Sequence, residues 1–462
     1  MKTFIKSAAL IAVTMTAMPL FAAARGKADF TTFATFGDSF GAGVSDVGLS
    51  IKHQPFSWPA IIARQVGLRT DCIGFDAPDC FQIPYISEPG ILPEIYIASL
   101  SPLSIALRPG LGAPINSGLG RPYNNLSIDG AEIGDFTNID YDGNEKLDGP
   151  IVLRNLGQAA DQMLRLNPTF VAMWIGGDDA FNGVQAGDPA AMTPLADFTA
   201  AYTAALDKLI AGAPNAGIVI GNLPVDLRGV PFVSTIPPVL VDPSTSKPVI
   251  NPLTGQPIPL IAELDNGTVG PLPKGSLVLL TALGLLQTGY GIPAQLQPIV
   301  DPMHRLPNIG KPIPGSQVLT PTELTAIGTR ITQYNAVISQ LAAARNIPVV
   351  DINAFFSNAK NGIQVGPMSL NLNYITGGLV SLDGFHLTDI GYTLFANEYI
   401  KTINASYGTH IPLASVSRFL QNNDPALGTS TQSLPVFDAA AAKAMNFAVP
   451  PTAPSRHHVV RH

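Results

Sequence analysis

The chain has 462 residues, enough for one large α/β core with insertions or for two modest domains, and we expect one core. Charged residues make up only 13%, against ~25% in an average soluble protein, and the 43 Gly and 42 Pro point to long ordered loops, while 46% hydrophobic content excludes disorder throughout. A formal charge of −7 with no Lys/Arg cluster lacks the electrostatic footprint of a nucleic-acid binder.

The N-terminus carries Lys2 and Lys6 ahead of an apolar run that ends in Ala22-Ala23-Ala24. Residues 1–24 therefore read as a signal peptide, with export to the periplasm or beyond and a mature start near Arg25. No Cys follows the run, so a lipid-anchored start is not supported. The later apolar stretch Gly275 to Gln287 is too short to span a bilayer, so no transmembrane span is expected in the mature protein. The two cysteines, Cys72 and Cys80, are expected to form a disulfide in an oxidising compartment. Two thiols without nearby His do not make a closed zinc sphere, and no metal site is assigned there.

Five β-rich apolar runs bounded by turn residues predict buried parallel strands: Phe30 to Ser39, Asn124 to Gly130, Pro168 to Gly177, Ala216 to Pro224 and Ile347 to Ile352. Helical patterns between and after them start at Trp58, Asn155, Pro194, Pro321 and Thr388. Thr320-Pro321-Thr322-Glu323 is a good helix start, with a cap and Pro in the first turn. Alternating strands and helices predict an α/β doubly wound parallel sheet with ligands at the strand C-termini. Two Pro/Gly-rich stretches, about 66–121 and 229–319, are too long for ordinary connections and are expected as ordered insertions near the site. Residues 25–407 thus form the core domain, and 408–462 are expected as an irregular extension.

Chemistry centres on "FGDSFGAG", where Ser39 stands at a strand-to-helix turn among Gly37, Gly41 and Gly43. A serine hydroxyl is a poor nucleophile until a base takes its proton. His53 and His304 fall in expected insertions, and His410, His457, His458 and His462 in the terminal region. That leaves His386 in "SLDGFHLTDIGY", with Asp383 three residues before it and Gly384 between to let the chain turn. A carboxylate on one imidazole nitrogen would free the other to face Ser39. "WIGGDDAF", Trp174 to Phe181, sets Asp178 and Asp179 at the end of a strand, where they could hold a metal, share a proton or cap a helix. On a strand, neighbouring side chains point to opposite faces, which argues against one shared ion.

These blocks resemble, in order, those of the GDSL or SGNH hydrolases, esterases on a flavodoxin-like three-layer sheet. Gly37-Asp38-Ser39 resembles the first, Gly130 in "NNLSIDGA" the second, Gly176 to Asp179 the third, and Asp383 to His386 the fifth. The resemblance spans about residues 30 to 405 and implies Ser39 as nucleophile, with His386 and Asp383 completing a triad. It places Ser39, Gly130 and the position of Asp178 at an oxyanion hole, with Asp179 structural and no cofactor required. "GNLPV", Gly221 to Val225, resembles a further recurring segment.

One position departs from the family: the third block has Asp178 where an Asn amide normally donates to the oxyanion. An ionised carboxylate cannot donate and would repel the developing charge. Asp178 is protonated, or ionised and turned away, or the protein binds without turnover. A calcium loop in "NIDYDGNEKLDG", 138–149, is the weaker alternative to a solvated acidic turn, because Gly149 stands where the closing Glu belongs. The expected activity is hydrolysis of a small-molecule or lipid carboxylic ester. The alternatives are a carbohydrate O-acetyl esterase, with Tyr123 or Tyr290 as a sugar platform, and a non-catalytic envelope binding protein. The 229–319 insertion is either an acyl-binding wall or a cover for the sheet edge, and the oligomeric state is unknown.

Overall fold

The computed structural model describes residues 23–138, 146–242, 247–252, 254–416 and 434–448. Four parallel strands build its centre: β1 (Phe33–Gly37), β2 (Phe170–Trp174), β3 (Gly217–Gly221) and β4 (Val349–Val350), adjacent in that order. Every residue of the first three is buried, so they read as unbroken apolar runs rather than as alternating ones. The segment expected as a strand at 124–130 lies beside the other edge of β1 without becoming a regular strand. Thr35 bridges Asn125, and the N–H groups of Leu126 and Ile128 each donate to β1 carbonyls at 3.0 Å. With this segment counted, the spatial order is the second run, then the first, third, fourth and fifth, as in flavodoxin-like sheets.

Helices cover both faces and complete the doubly wound architecture. On one face α1 (Trp58–Gln65), α6 (Ile352–Asn361) and α7 (Asp389–Tyr407) pack together; on the other lie α2 (Ala159–Arg165), α3 (Gly177–Gln185), α4 (Leu195–Gly212) and α5 (Pro321–Ala344). Trp58 stacks on Tyr399 at 4.6 Å with both side chains fully buried, and the Tyr399 hydroxyl donates to the Met173 carbonyl at 2.8 Å. Each ring buried in this way contributes ~2–3 kcal/mol, and together they seat α7 under the end of β2. The start of α5 is a reciprocal cap: Thr320 Oγ1 accepts from Glu323 N, and Glu323 accepts from Thr320 N at 2.7 Å. Such caps are worth ~1 kcal/mol.

Several boundaries differ from expectation. The run expected at Pro168 to Gly177 stops being a strand at Trp174, the end of β2, and "GGDD" opens α3, so Asp178 and Asp179 sit in the first turn of a helix and not on a strand. Helix α2 begins at Ala159 rather than Asn155, because Arg154, Asn155 and Gly157 adopt left-handed backbone with φ of 51°, 57° and 94°. Helix α6, absent from the sequence-based elements, is capped by the Asp351 carboxylate, which accepts from Ala354 N at 2.9 Å.

The first insertion contains an antiparallel hairpin, Ile95–Leu100 with Leu103–Leu107, and the Cys72–Cys80 disulfide. The second contains two short antiparallel pairs, Ile261–Glu263 with Val269–Pro271 and Leu277–Val278 with Val318–Leu319. The described part of the C-terminal extension includes regular elements. Val436–Phe437 adds a parallel strand to the hairpin, and α8 (Ala439–Ala448) packs against elements of both insertions. Among the described residues no helix is long and apolar enough to cross a membrane. Residues 1–22 of the expected leader and 139–145 of the weighed calcium loop lie outside the described residues.

Candidate active site

Ser39 opens a single helical turn, Ser39–Ala42, directly after β1. Asp38 caps that turn, its carboxylate accepting from Phe40 N at 3.0 Å, and Gly43 closes it with φ of 89°. A Cβ on Gly41 would lie 2.2 Å from Ser127 Oγ, so the turn seats against the neighbouring segment only with glycine there. Asn125 fastens the same contact, donating to the Gly41 carbonyl at 2.8 Å and accepting from Thr35 Oγ1 at 3.1 Å. Ser39 is buried at 3% exposure, at the C-terminal edge of the sheet where doubly wound folds bind ligands.

Asp383 and His386 meet the same edge from the turn before α7. His386 Nδ1 lies 2.9 Å from Asp383 Oδ2, and the N–H groups of His386 and Phe385 donate to Oδ1 at 2.8 and 2.9 Å. A fourth donor comes from across the molecule: Val47 N reaches Oδ2 at 2.9 Å. Although burial alone would raise the Asp383 carboxyl, His386 and these donors hold it far below the ordinary carboxylate range. Burial opposes the charged form of His386, but Asp383 outweighs it and raises the imidazole above its ordinary value. The remaining nitrogen, Nε2, is buried with no hydrogen-bond partner among the described residues. The imidazole lies 5.5 Å from the ring of Phe40, the residue after Ser39.

Sequence inspection did not single out the loop that holds Asp383. Asp46 accepts from Leu382 N at 2.8 Å, and its own N–H donates to Ser381 Oγ at 3.0 Å. Asp46 and Val47 both have positive φ, 53° and 70°, which a β-branched Val avoids, so no local preference announces this turn. His53 is buried and joined through Nδ1 to Asp389 at 2.8 Å, at the start of α7. His304 and His410 are exposed.

Gly130 follows the 124–128 segment with φ of 73°, and Asp178 sits in the first turn of α3, just after the left-handed Gly176. The Asp178 carboxyl is pushed well above its ordinary value, first by burial and then by repulsion from Asp38, against the pull of Lys146. Asp179 is fully buried and serves the frame: its carboxylate accepts from Ile133 N at 2.9 Å, fixing the chain just after Gly130. Asp148, unnoticed in the sequence, receives the Asp129 N–H at 3.1 and 3.2 Å on its two oxygens.

Beside these groups lies a cavity in which every lining side chain is apolar, including Phe40, Trp174, Phe181, Leu227, Val230 and Phe385. The second insertion enters it at Val230, and Phe232 N donates to the Gly384 carbonyl at 2.8 Å, inside the Asp383–His386 turn. The insertion is thus tied to the site. Tyr123 cannot serve as an open sugar platform: it is fully buried under the Arg154 guanidinium, 4.0 Å from its ring. Trp58 is fully buried as well.

A family model described as GDSL-like Lipase/Acylhydrolase matches residues 33–399. Similar solved structures include a family 3 carbohydrate esterase of Clostridium thermocellum, 14% identical over 81% of this chain and 96% of its own, with a TM-score of 0.31. An extracellular lipase of Streptomyces rimosus is 14% identical over 81% of this chain and 98% of its own, with a TM-score of 0.32. A phospholipase A1 of Streptomyces albidoflavus is 14% identical over 83% of this chain and 100% of its own, with a TM-score of 0.33. No curated protein matches the chain.

Proposed function

The chain belongs to the GDSL-like Lipase/Acylhydrolase family, and from that premise we propose that it is a serine esterase acting on carboxylic esters with apolar acyl groups. The observation that carries this is the buried Asp383–His386 pair, whose Nε2 has no partner among the described residues and whose imidazole lies 5.5 Å from the ring of Phe40, the residue after Ser39. His386 Nε2 takes the proton of Ser39 Oγ as that oxygen attacks the acyl carbon. The carbonyl π electrons move to oxygen, and the resulting oxyanion is held by the N–H groups of Ser39 and Gly130 and by Asp178. Collapse expels the alcohol, which receives the proton from His386 and leaves an acyl-Ser39. Water then repeats the sequence and releases the acid.

Asp178 takes part as a neutral acid. Burial and the nearby Asp38 favour its protonated form, in which the hydroxyl donates where a carboxylate would repel. The apolar cavity beside Phe40 and Phe385 receives the acyl chain, and the second insertion supplies part of its wall through Val230. Residues 1–24 act as an export signal, 25–407 form the hydrolase domain, and the Cys72–Cys80 bridge suits an oxidising compartment.

A panel of p-nitrophenyl esters of graded chain length, run beside acetylated xylan, tests the assignment. Medium-chain esters are expected to be the better substrates. Release of acetate from xylan with no turnover of acyl chains longer than acetyl would overturn the apolar-acyl assignment.

A further inference from the structure

The charges around the site do not balance on the groups assigned so far. Asp38, Asp148 and Asp178 each interact with Asp129, the residue before Gly130, and burial raises all four of these carboxyls. A carbonyl oxygen that becomes negative among them meets repulsion from every one that ionises. The side chain that answers this is Lys146. Its Nζ lies 3.3 Å from the position a Cβ on Gly130 would occupy, with Cδ and Cε at 3.5 and 3.8 Å, so the end of the lysine lies over that glycine. Lys146 also interacts with Asp129, Asp148 and Asp178, three of the four carboxyls.

We propose that Lys146 is a catalytic cation of this site, its ammonium stabilising the negative carbonyl oxygen that forms beside the N–H of Gly130. This assignment rests on the acyl-enzyme mechanism above and adds to it a residue outside the blocks that carry the family resemblance. No proton moves to or from Lys146 in the step. Its charge is present before the reaction and favours the negative carbonyl oxygen over the neutral one of the bound ester, so the effect falls on the transition state. Burial opposes that charge, but the neighbouring carboxyls, Asp135 first and Glu132 and Asp129 among the others, outweigh it and keep the ammonium protonated. A compact ammonium on a flexible stem suits a point-charge role of this kind.

The test is Lys146→Met, which keeps the length of the stem, with Lys146→Arg to restore a charge. Both are made in the wild type and in Asp178→Asn, and turnover of p-nitrophenyl butyrate is followed with thermal melting as the check on folding. Lys146→Met is expected to lower kcat by ~10²-fold, the usual cost of one oxyanion-stabilising group, with KM little changed. Lys146→Arg should recover part of the loss. In the Asp178→Asn background the same fold-loss is expected, because the ammonium acts on the oxyanion and not through the Asp178 proton. A folded Lys146→Met with kcat within threefold of wild type overturns the proposal, as does a loss that disappears in Asp178→Asn. If Lys146→Met does not fold, Lys146→Gln is read by the same criteria. A wild type that neither turns over esters nor labels at Ser39 fails the acyl-enzyme mechanism itself, which separates that failure from this one.

Discussion

Replacing Asp383 with Asn removes one oxygen from a carboxylate that accepts four hydrogen bonds. Val47 N and His386 Nδ1 share Oδ2, while Phe385 N and His386 N share Oδ1, all between 2.8 and 2.9 Å. Asn offers one acceptor oxygen at a site with no solvent exposure: with its NH2 at the Oδ1 place Phe385 N and His386 N both go unmatched, and with it at the Oδ2 place only Val47 N does, because Nδ1 can turn to accept. A buried donor left unmatched costs ~1–3 kcal/mol, so the predicted loss in folding stability is ~1–3 kcal/mol in the second orientation and ~2–6 kcal/mol in the first. Catalysis suffers separately. If the amide nitrogen takes the Oδ2 place, it donates to Nδ1 and puts the imidazole proton on Nε2, where the base cannot accept from Ser39. The other orientation keeps the tautomer but loses the negative charge that stabilises the imidazolium. The expected fall in kcat is ~10²-fold at least and ~10⁴-fold when the tautomer reverses. Urea unfolding and p-nitrophenyl butyrate kinetics on the same preparation measure both effects. A variant that keeps a tenth of wild-type kcat and an unchanged unfolding midpoint refutes the role given to Asp383.

Activity should describe a bell in pH. His386 must be neutral to act as base, so kcat rises as pH climbs through its raised value, and Asp178 must hold its proton, so kcat falls as pH climbs through its own raised value. Asp178→Asn supplies a donor that does not titrate, and should match or exceed wild type at pH 7 and abolish the alkaline fall. The same alkaline limb in both proteins would assign it to another group. Leu227→Trp narrows the apolar cavity and is expected to lower kcat/KM for octanoyl esters by ~10-fold while sparing acetyl esters, since even one methylene in a pocket is worth ~1–3 kcal/mol. An equal effect on both chain lengths would remove the cavity from acyl recognition.

The strands of the central sheet were legible because FATFG, FVAMW and GIVIG are buried on both faces and carry no alternation. The start of α5 was legible because Thr320, Pro321 and Glu323 each have a local role in the cap. The start of α3 was not. Two glycines are poor helix formers, and Gly176 at φ 106° serves a contact rather than a propensity, since a Cβ there would lie 3.0 Å from the Phe198 ring. The element that carries Asp178 and Asp179 is therefore a helix and not the strand that the run suggests. The support for Asp383 from Val47 is 336 residues away in the chain and rests on a backbone that Val does not favour, so nothing local encodes it. Lys146 left one trace, a lone cation in a run of acids, and its meaning depends on the fold that brings it over Gly130.

The central claim is that Ser39 is an activated nucleophile, and a fluorophosphonate probe tests it most directly. A serine attacks phosphorus at a useful rate only when a base removes its proton. Peptide mass mapping should find one stoichiometric adduct on Ser39, absent from Ser39→Ala and strongly slowed in Asp383→Asn. A folded wild-type protein that stays unlabelled, or that carries the adduct on another residue, would contradict the account.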